Sequence, residues 1–202
     1  MSSATNPAIV GTLEIYFVRH GETAWSLTGR HTGRTEIPLT SHGEDQAGDV
    51  GARLRTRTFS HVLTSPRERT RRTCALVALP NPVDVEPDLA EWDYGEYEGR
   101  TTVDIRKRRP GWTVYRDGCP GGETPVQISD RADRIIARVR GLEGRVALFS
   151  HGQFGCVLAA RWIGLPVLLA QHFSLGPASL NILGYDPHRS EVPIIALLNA
   201  AP

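Results

Sequence analysis

An arginine, a histidine and a glycine close the apolar run EIYFVRHGETAW (14–25), and a serine, a histidine and a glycine close RVALFSHGQF (145–154). His20 and His151 thus stand at the carboxyl ends of two runs of β-forming residues, where open α/β sheets keep their ligand crevice. Two imidazoles delivered to two such ends can face one pocket. The glycine after each lets the backbone turn sharply or approach a ligand closely. Arg19 adjoins the first imidazole, and TSPRERT (64–70) ends a third such run with two more arginines. Ser65-Pro66 reads as the opening of a helix whose first N–H groups attract anions, with Arg69 near that entrance and Arg71 and Arg72 turned to solvent. Guanidinium groups bind phosphoryl oxygens in pairs, and imidazole binds such a group or attacks it.

A bound phosphoryl group still needs a proton donor for its leaving oxygen. DLAEWDYGEYEGR offers Asp88, Glu91, Asp93, Glu96 and Glu98. Glu91, between Leu89 and Trp92, is the one placed for partial desolvation, a setting that favours the proton-carrying form of a carboxyl group.

The elements that must carry these groups follow from periodicity. Residues 13–19 read as a strand covered on both faces, 60–64 and 83–85 as short strands, and 145–150 as another covered strand. Ser41 caps a predicted helix through Gln46, Val50 and Leu54, and 66–78 reads as a helix with proline first. A long helix is predicted from Thr124 to Arg140, its buried stripe made of Val126, Ile128, Ile135, Ile136 and Val139. Residues 152–163 read as a helix, 178–185 and 192–198 as strands about a DPHRS turn, and 88–122 as loop with one short helix near 101–108. Strands alternating with helices predict an α/β sheet with helices on both faces and an antiparallel edge at the C-terminal end. Residues 1–10 read as a loose tail and 11–202 as one domain.

The 202 residues carry 23 Lys+Arg against 22 Asp+Glu, a net charge of +1, so no basic field points to nucleic acid. Lys107 is the only lysine. No run approaches the ~20 apolar residues that span a bilayer, and MSSATNPAIV lacks the basic and apolar regions of a secretory signal. Cys74, Cys119 and Cys156 show no CxxC spacing, which predicts a reducing compartment and a cytoplasmic protein, with Cys156 an inert buried thiol. The basic run 106–109 reads as a solvated helix face, recruitment of a second anionic group being the alternative. IGLPVLLAQHF (163–173) is expected to cover the sheet, a homodimer contact being the alternative.

Taken together, LEIYFVRHGETAW, GRHTGRTEIPLTSHGEDQA, SPRERTRRT, LAEWDYGEYEG, GGET and FSHG resemble the histidine phosphatase superfamily, the phosphoglycerate-mutase-like fold in its RHG branch. The resemblance spans Leu13 to Asn199 and implies a three-layer α/β/α sandwich with a mostly parallel sheet. It implies that His20 is the nucleophile and becomes phosphohistidine. Arg19, Arg69 and His151 would line the phosphate pocket, and Glu91 would protonate the leaving group. It implies substrate contacts at Ser26, His31, Thr32, Gly33 and Gln153, with Arg116 on a distal part of the substrate. At position 26 many members carry Asn; serine loses the amide donor, though its hydroxyl can reach a phosphate oxygen. The family needs no metal, and no cofactor is expected for this chain. The pattern is similar to sedoheptulose-1,7-bisphosphatases and implies a phosphatase acting on small phosphorylated metabolites, sugar phosphates or bisphosphates. A cofactor-dependent phosphoglycerate mutase and an inactive phosphometabolite-binding protein are the alternatives. The short span from Trp92 to Gly122 argues against the first, and the presence of all five catalytic-type residues against the second.

Overall fold

The computed structural model describes residues 13–202; the predicted tail lies outside them. Six strands form one sheet in the order β3-β2-β4-β1-β5-β6. These are β1 (Glu14–Arg19), β2 (His61–Thr64), β3 (Val83–Val85), β4 (Arg145–Ser150), β5 (Leu180–Asp186) and β6 (Arg189–Ala200). The first four run parallel, and β5 and β6 add the antiparallel edge. The last hairpin is tighter than DPHRS suggested. Asp186 accepts the N–H groups of His188 and Arg189, which leaves two residues in the turn.

Both faces of the central strands are covered, as a run without polar alternation requires. Ile15 and Phe17 of β1 pack into one core with Ile128, Ile135, Phe154 and Val157, whereas Tyr16 and Val18 join Val50, Leu54, Cys74 and Val77 on the other side. The second face is built by α2 (Ser41–Leu54) and α3 (Glu68–Val77), and the first by α6 (Pro125–Arg140) and α7 (Gly152–Trp162). Short helices α1 (Ala24–Leu27), α4 (Thr102–Arg106) and α5 (Val114–Asp117) lie in the connections. The result is the three-layer sandwich that the sequence predicts. Among the described residues no helix is long and apolar enough to cross a membrane.

Several boundaries move for identifiable reasons. Thr40, not Ser41, caps α2, its hydroxyl accepting the Gly43 N–H at 3.0 Å. Pro66 stays outside α3, which starts after Arg67. On α6, Val126 is 68% exposed and leaves the apolar stripe, while Arg131 and Ala132 enter it. Residues 88–122 hold α4, α5 and two 3-10 turns, Pro87–Leu89 and Gly95–Tyr97, rather than one helix. The segment 163–173 does not cover the sheet. Its 3-10 turn Val167–His172 packs on α5, α6 and α7.

Gly21 shows why the chain turns where it does. A Cβ there would lie 2.2 Å from the carbonyl oxygen of Gly43, so the backbone after β1 rests directly on the start of α2. Close approach to α2, not to a ligand, requires this glycine. Gly21→Ala is expected to cost about 1–3 kcal/mol by overpacking. Gly48→Ala, where the added methyl meets nothing within 4 Å in the middle of α2, should instead stabilise by about 0.5–1 kcal/mol. Urea unfolding of the two variants checks both signs.

Candidate active site

Parallel pairing of β1 with β4 sets Arg19 opposite Ser150, so His20 and His151 leave the sheet side by side. The His20 N–H donates to the Ser150 carbonyl at 2.9 Å, and the two rings stand 5.2 Å apart between centroids at 63°. His20 Nδ1 lies 2.7 Å from the Gly21 carbonyl. A carbonyl only accepts, so Nδ1 carries the proton and Nε2 is left with its lone pair. Among the described residues Nε2 has no hydrogen-bond partner.

His151 is wholly buried, its Nε2 2.7 Å from Ser65 Oγ and 3.3 Å from Thr70 Oγ1. Burial holds both imidazoles well below the ordinary histidine value, and the charges of Arg19 and Arg69 push the same way. Burial likewise lowers both guanidiniums, against the field of Glu91. Arg19 is anchored to the Leu175 carbonyl and lies against Gly152, where a Cβ would come within 3.2 Å of it.

Glu91 is 9% exposed and faces the same space. Its Oε1 accepts the N–H groups of Trp92 (2.9 Å) and Phe154 (2.8 Å), and Oε2 accepts that of Gln153 (3.0 Å). Three of the four lone-pair positions of a carboxylate are thereby filled; the fourth, on Oε2, is open to a proton. The first turn of α7 holds the acid in place.

A cavity of about 360 Å³ opens over this group, lined by Arg19, His20 and Glu91 and by the candidates Ser26, His31, Thr32 and Gln153. Tyr94, Thr102, Tyr115, Gln171 and Phe173 complete much of its wall. Ser26 Oγ accepts the Thr23 N–H at 2.9 Å, closing the capping box of α1, and gives its proton to the Thr23 carbonyl at 2.9 Å, so that hydroxyl is engaged within the protein. His31 is pushed down to about 4 by burial and stacks on Tyr94, with ring centroids 4.6 Å apart. The Cys156 thiol, also in the wall, is pushed up to about 11 by burial.

Four predicted site residues do not line the cavity, the buried His151 and three others. Arg116 points away, its guanidinium on Asp117 and the Gly111 carbonyl, because the aspartate beside it is the nearer anion. Gly33 sits beneath the wall, its N–H bound to Glu98. Arg69 gives its terminal nitrogens to the carbonyls of Thr32, Gly33 and Thr35. The start of α3 is also taken, since Glu36 accepts the Glu68 N–H at 3.0 Å. Arg19 Nε, Arg69 Nε and His151 Nδ1 are buried without a partner among the described residues.

One support escaped the sequence reading. Arg131, in the stripe of α6, holds the Glu123 carboxylate with two bonds, at 2.9 and 2.8 Å, and donates to the carbonyls of Asp88, Ala90 and Glu91. Glu123 in turn accepts the Asp93 N–H, and its carbonyl takes the Trp92 indole N–H. The loop that carries Glu91 thus hangs on one half-buried ion pair. An arginine at helical spacing between Ile128 and Ile135 was the available signal.

Residues 15–196 match the histidine phosphatase superfamily (branch 1). The chain belongs to that superfamily. An acid phosphatase of Mycobacterium tuberculosis is 41% identical over 187 residues, spanning 91% of this chain and 92% of its own. The sedoheptulose 1,7-bisphosphatase of Saccharomyces cerevisiae is 40% identical over 182 residues, 74% of this chain and 67% of the relative. A probable phosphoglycerate mutase of Salmonella choleraesuis is 35% identical over 185 residues, 86% of each chain. A solved structure from Mycobacterium tuberculosis, 40% identical, superposes with a TM-score of 0.88 over 93% of this chain and 97% of its own. Among the described residues of this histidine phosphatase no three His, Cys, Asp or Glu side chains gather as ligands of a metal would.

Two outcomes follow. The folded chain disfavours protons on His20, His151 and His31 that the unfolded chain accepts near pH 6.5. Stability is therefore full above that pH and lost as pH falls below it. The melting temperature should drop from pH 6.5 toward 5, less steeply in His151→Asn; a flat or rising curve would contradict the burial of neutral imidazoles. Arg131→Met should cost about 1–3 kcal/mol, because it leaves the half-buried Glu123 carboxylate and three loop carbonyls without their donor. In the fraction that folds, kcat should fall more than KM rises, since Glu91 is displaced.

Proposed function

We propose that this chain hydrolyses small phosphomonoesters by passing the phosphoryl group to His20 and then to water. The observation that carries the reading is the unprotonated Nε2 of His20, held by the Nδ1 bond to Gly21 in the same cavity as Arg19 and Glu91. In the first step Nε2 attacks phosphorus, the P–N bond forms and the ester P–O bond breaks. The proton on Glu91 Oε2 goes to the leaving oxygen. In the second step Glu91 takes a proton from water, the new hydroxide attacks phosphorus, and the P–N bond breaks to release inorganic phosphate. The unpartnered nitrogens of Arg19, Arg69 and His151 are suited to the phosphoryl oxygens, whose charge in a loose transition state such donors stabilise. His151 and Arg69 act from just behind the cavity wall.

The substrate class is a small phosphorylated metabolite, a sugar phosphate or bisphosphate. The hydroxyl and amide groups in the wall suit hydroxylated carbon, and a bisphosphatase stands among the relatives. Free, buried cysteines support the cytoplasm as the compartment.

A panel of sugar phosphates, sugar bisphosphates, phosphoglycerates and nucleotides tests the reading. Phosphate release by the wild type should fall by at least about 10³-fold in His20→Ala, as when a covalent nucleophile is removed. Acid-labile ³²P should be trapped on His20. Interconversion of 2- and 3-phosphoglycerate without phosphate release would instead make the chain a mutase, and no turnover on any ester would sink the proposal.

A further inference from the structure

We infer that the cavity takes a second anionic group of the same substrate and that Arg30 holds it. The inference rests on the phosphatase reading and adds what the rest of the substrate carries. Arg19 and Arg30 are the two cations in the cavity wall. Arg19 sits at the floor beside His20, whereas Arg30 is exposed and therefore stands at the mouth.

The backbone of Arg30 is fixed on both sides. Its N–H donates to the Trp25 carbonyl at 3.0 Å, and it bridges Thr101 at the start of α4. Its guanidinium, in contrast, has no hydrogen bond or ion pair among the described residues. Arg34 pairs with Asp93 at 2.7 Å, Arg67 with Glu36 and Arg116 with Asp117, and Arg100, which does not line the cavity, lies over the Tyr97 ring. The one carboxylate in the wall, Glu91, is turned onto the first turn of α7. A guanidinium on a fixed backbone, without an internal counter-ion and at the mouth of a cavity whose floor is suited to phosphate, is matched to an anion that arrives with the ligand.

The wall also holds neutral groups, His31, Thr32, Thr102, Tyr115 and Gln153. His31 pairs with Thr102 and Tyr115 with Gln153, whose amide N–H groups and the remaining hydroxyl lone pairs stay open to a ligand. Burial keeps the His31 imidazole uncharged at neutral pH. Hydroxyl, amide and neutral imidazole groups suit a hydroxylated carbon chain. The ligand class is thus a short polyhydroxylated phosphomonoester bearing a second phosphate or a carboxylate. Arg116, the residue expected from sequence to meet that end, is spent on Asp117. Arg106 borders a neighbouring hollow of about 230 Å³, but its Nε is committed to the Trp112 carbonyl at 2.8 Å.

The test compares fructose 1,6-bisphosphate with p-nitrophenyl phosphate, which lacks a second anion, in wild type, R30Q, R30K and R106Q. In R30Q the ratio of kcat/KM for the bisphosphate to that for the aryl ester should fall about tenfold or more through KM, the loss of one charge-assisted contact. R30K should recover part of it, R106Q should keep the wild-type ratio, and added salt should erode the wild-type preference. An unchanged ratio in R30Q, or a loss carried by R106Q, overturns the inference while leaving hydrolysis of the aryl ester, and so the phosphatase reading, intact. Calorimetric titration of His20→Ala and His20→Ala/Arg30→Gln with the bisphosphate reads the same contact without turnover. Equal affinities there would overturn it even if no ester were hydrolysed.

Discussion

The register of one parallel strand pair governs this molecule. Because Arg19 and Ser150 are paired, the residues that follow them emerge at the same height, and they are both histidines. A slip of one residue would send one imidazole to the opposite face. The register is held by Ile15 and Phe17 on one side of β1 and Tyr16 and Val18 on the other, each wholly or nearly wholly buried. The apolar cores on the two faces are therefore what keeps the rings 5.2 Å apart.

That arrangement sets an electrostatic problem. Two imidazoles and two guanidiniums share a buried site, with Glu91 in the cavity wall and Glu36 3.9 Å from Arg69 as facing carboxylates. The protein resolves it by keeping the imidazoles neutral and giving the guanidiniums backbone carbonyls as hydrogen-bond partners, Glu36 staying 3.9 Å from Arg69 Nη1. Arg69 takes three carbonyls from the 32–35 segment, and Glu98 fixes that segment from the other side through the N–H groups of Gly33 and Thr35. An acid paired directly with either arginine would cancel the charge that an incoming phosphoryl group needs.

Both helix starts beside the site carry carboxylates of the protein itself. Glu36 occupies that of α3 and Glu91 that of α7. The first is structural and removes α3 from the anion-binding role its sequence suggested. The second fixes the acid without using its last lone pair. Arg131 and Glu123 complete the mount from behind, so that a helix on the outer layer decides where the acid stands.

Sequence alone located the strands and singled out Arg19, His20, Arg69, Glu91 and His151, which the fold brings together. These are local properties: a covered strand reads as an apolar run, and a strand end displays whatever residue comes next. The fold class was equally legible, because alternation of strands and helices leaves few ways to bury both faces. What only the tertiary structure decided is which polar groups are already spent. Arg116 and Ser26 have the right chemistry, but a neighbouring aspartate holds one and a capping box the other. Arg131 lies forty residues from the acid whose loop it supports. A side chain's availability depends on partners brought together by folding, and no local pattern records them.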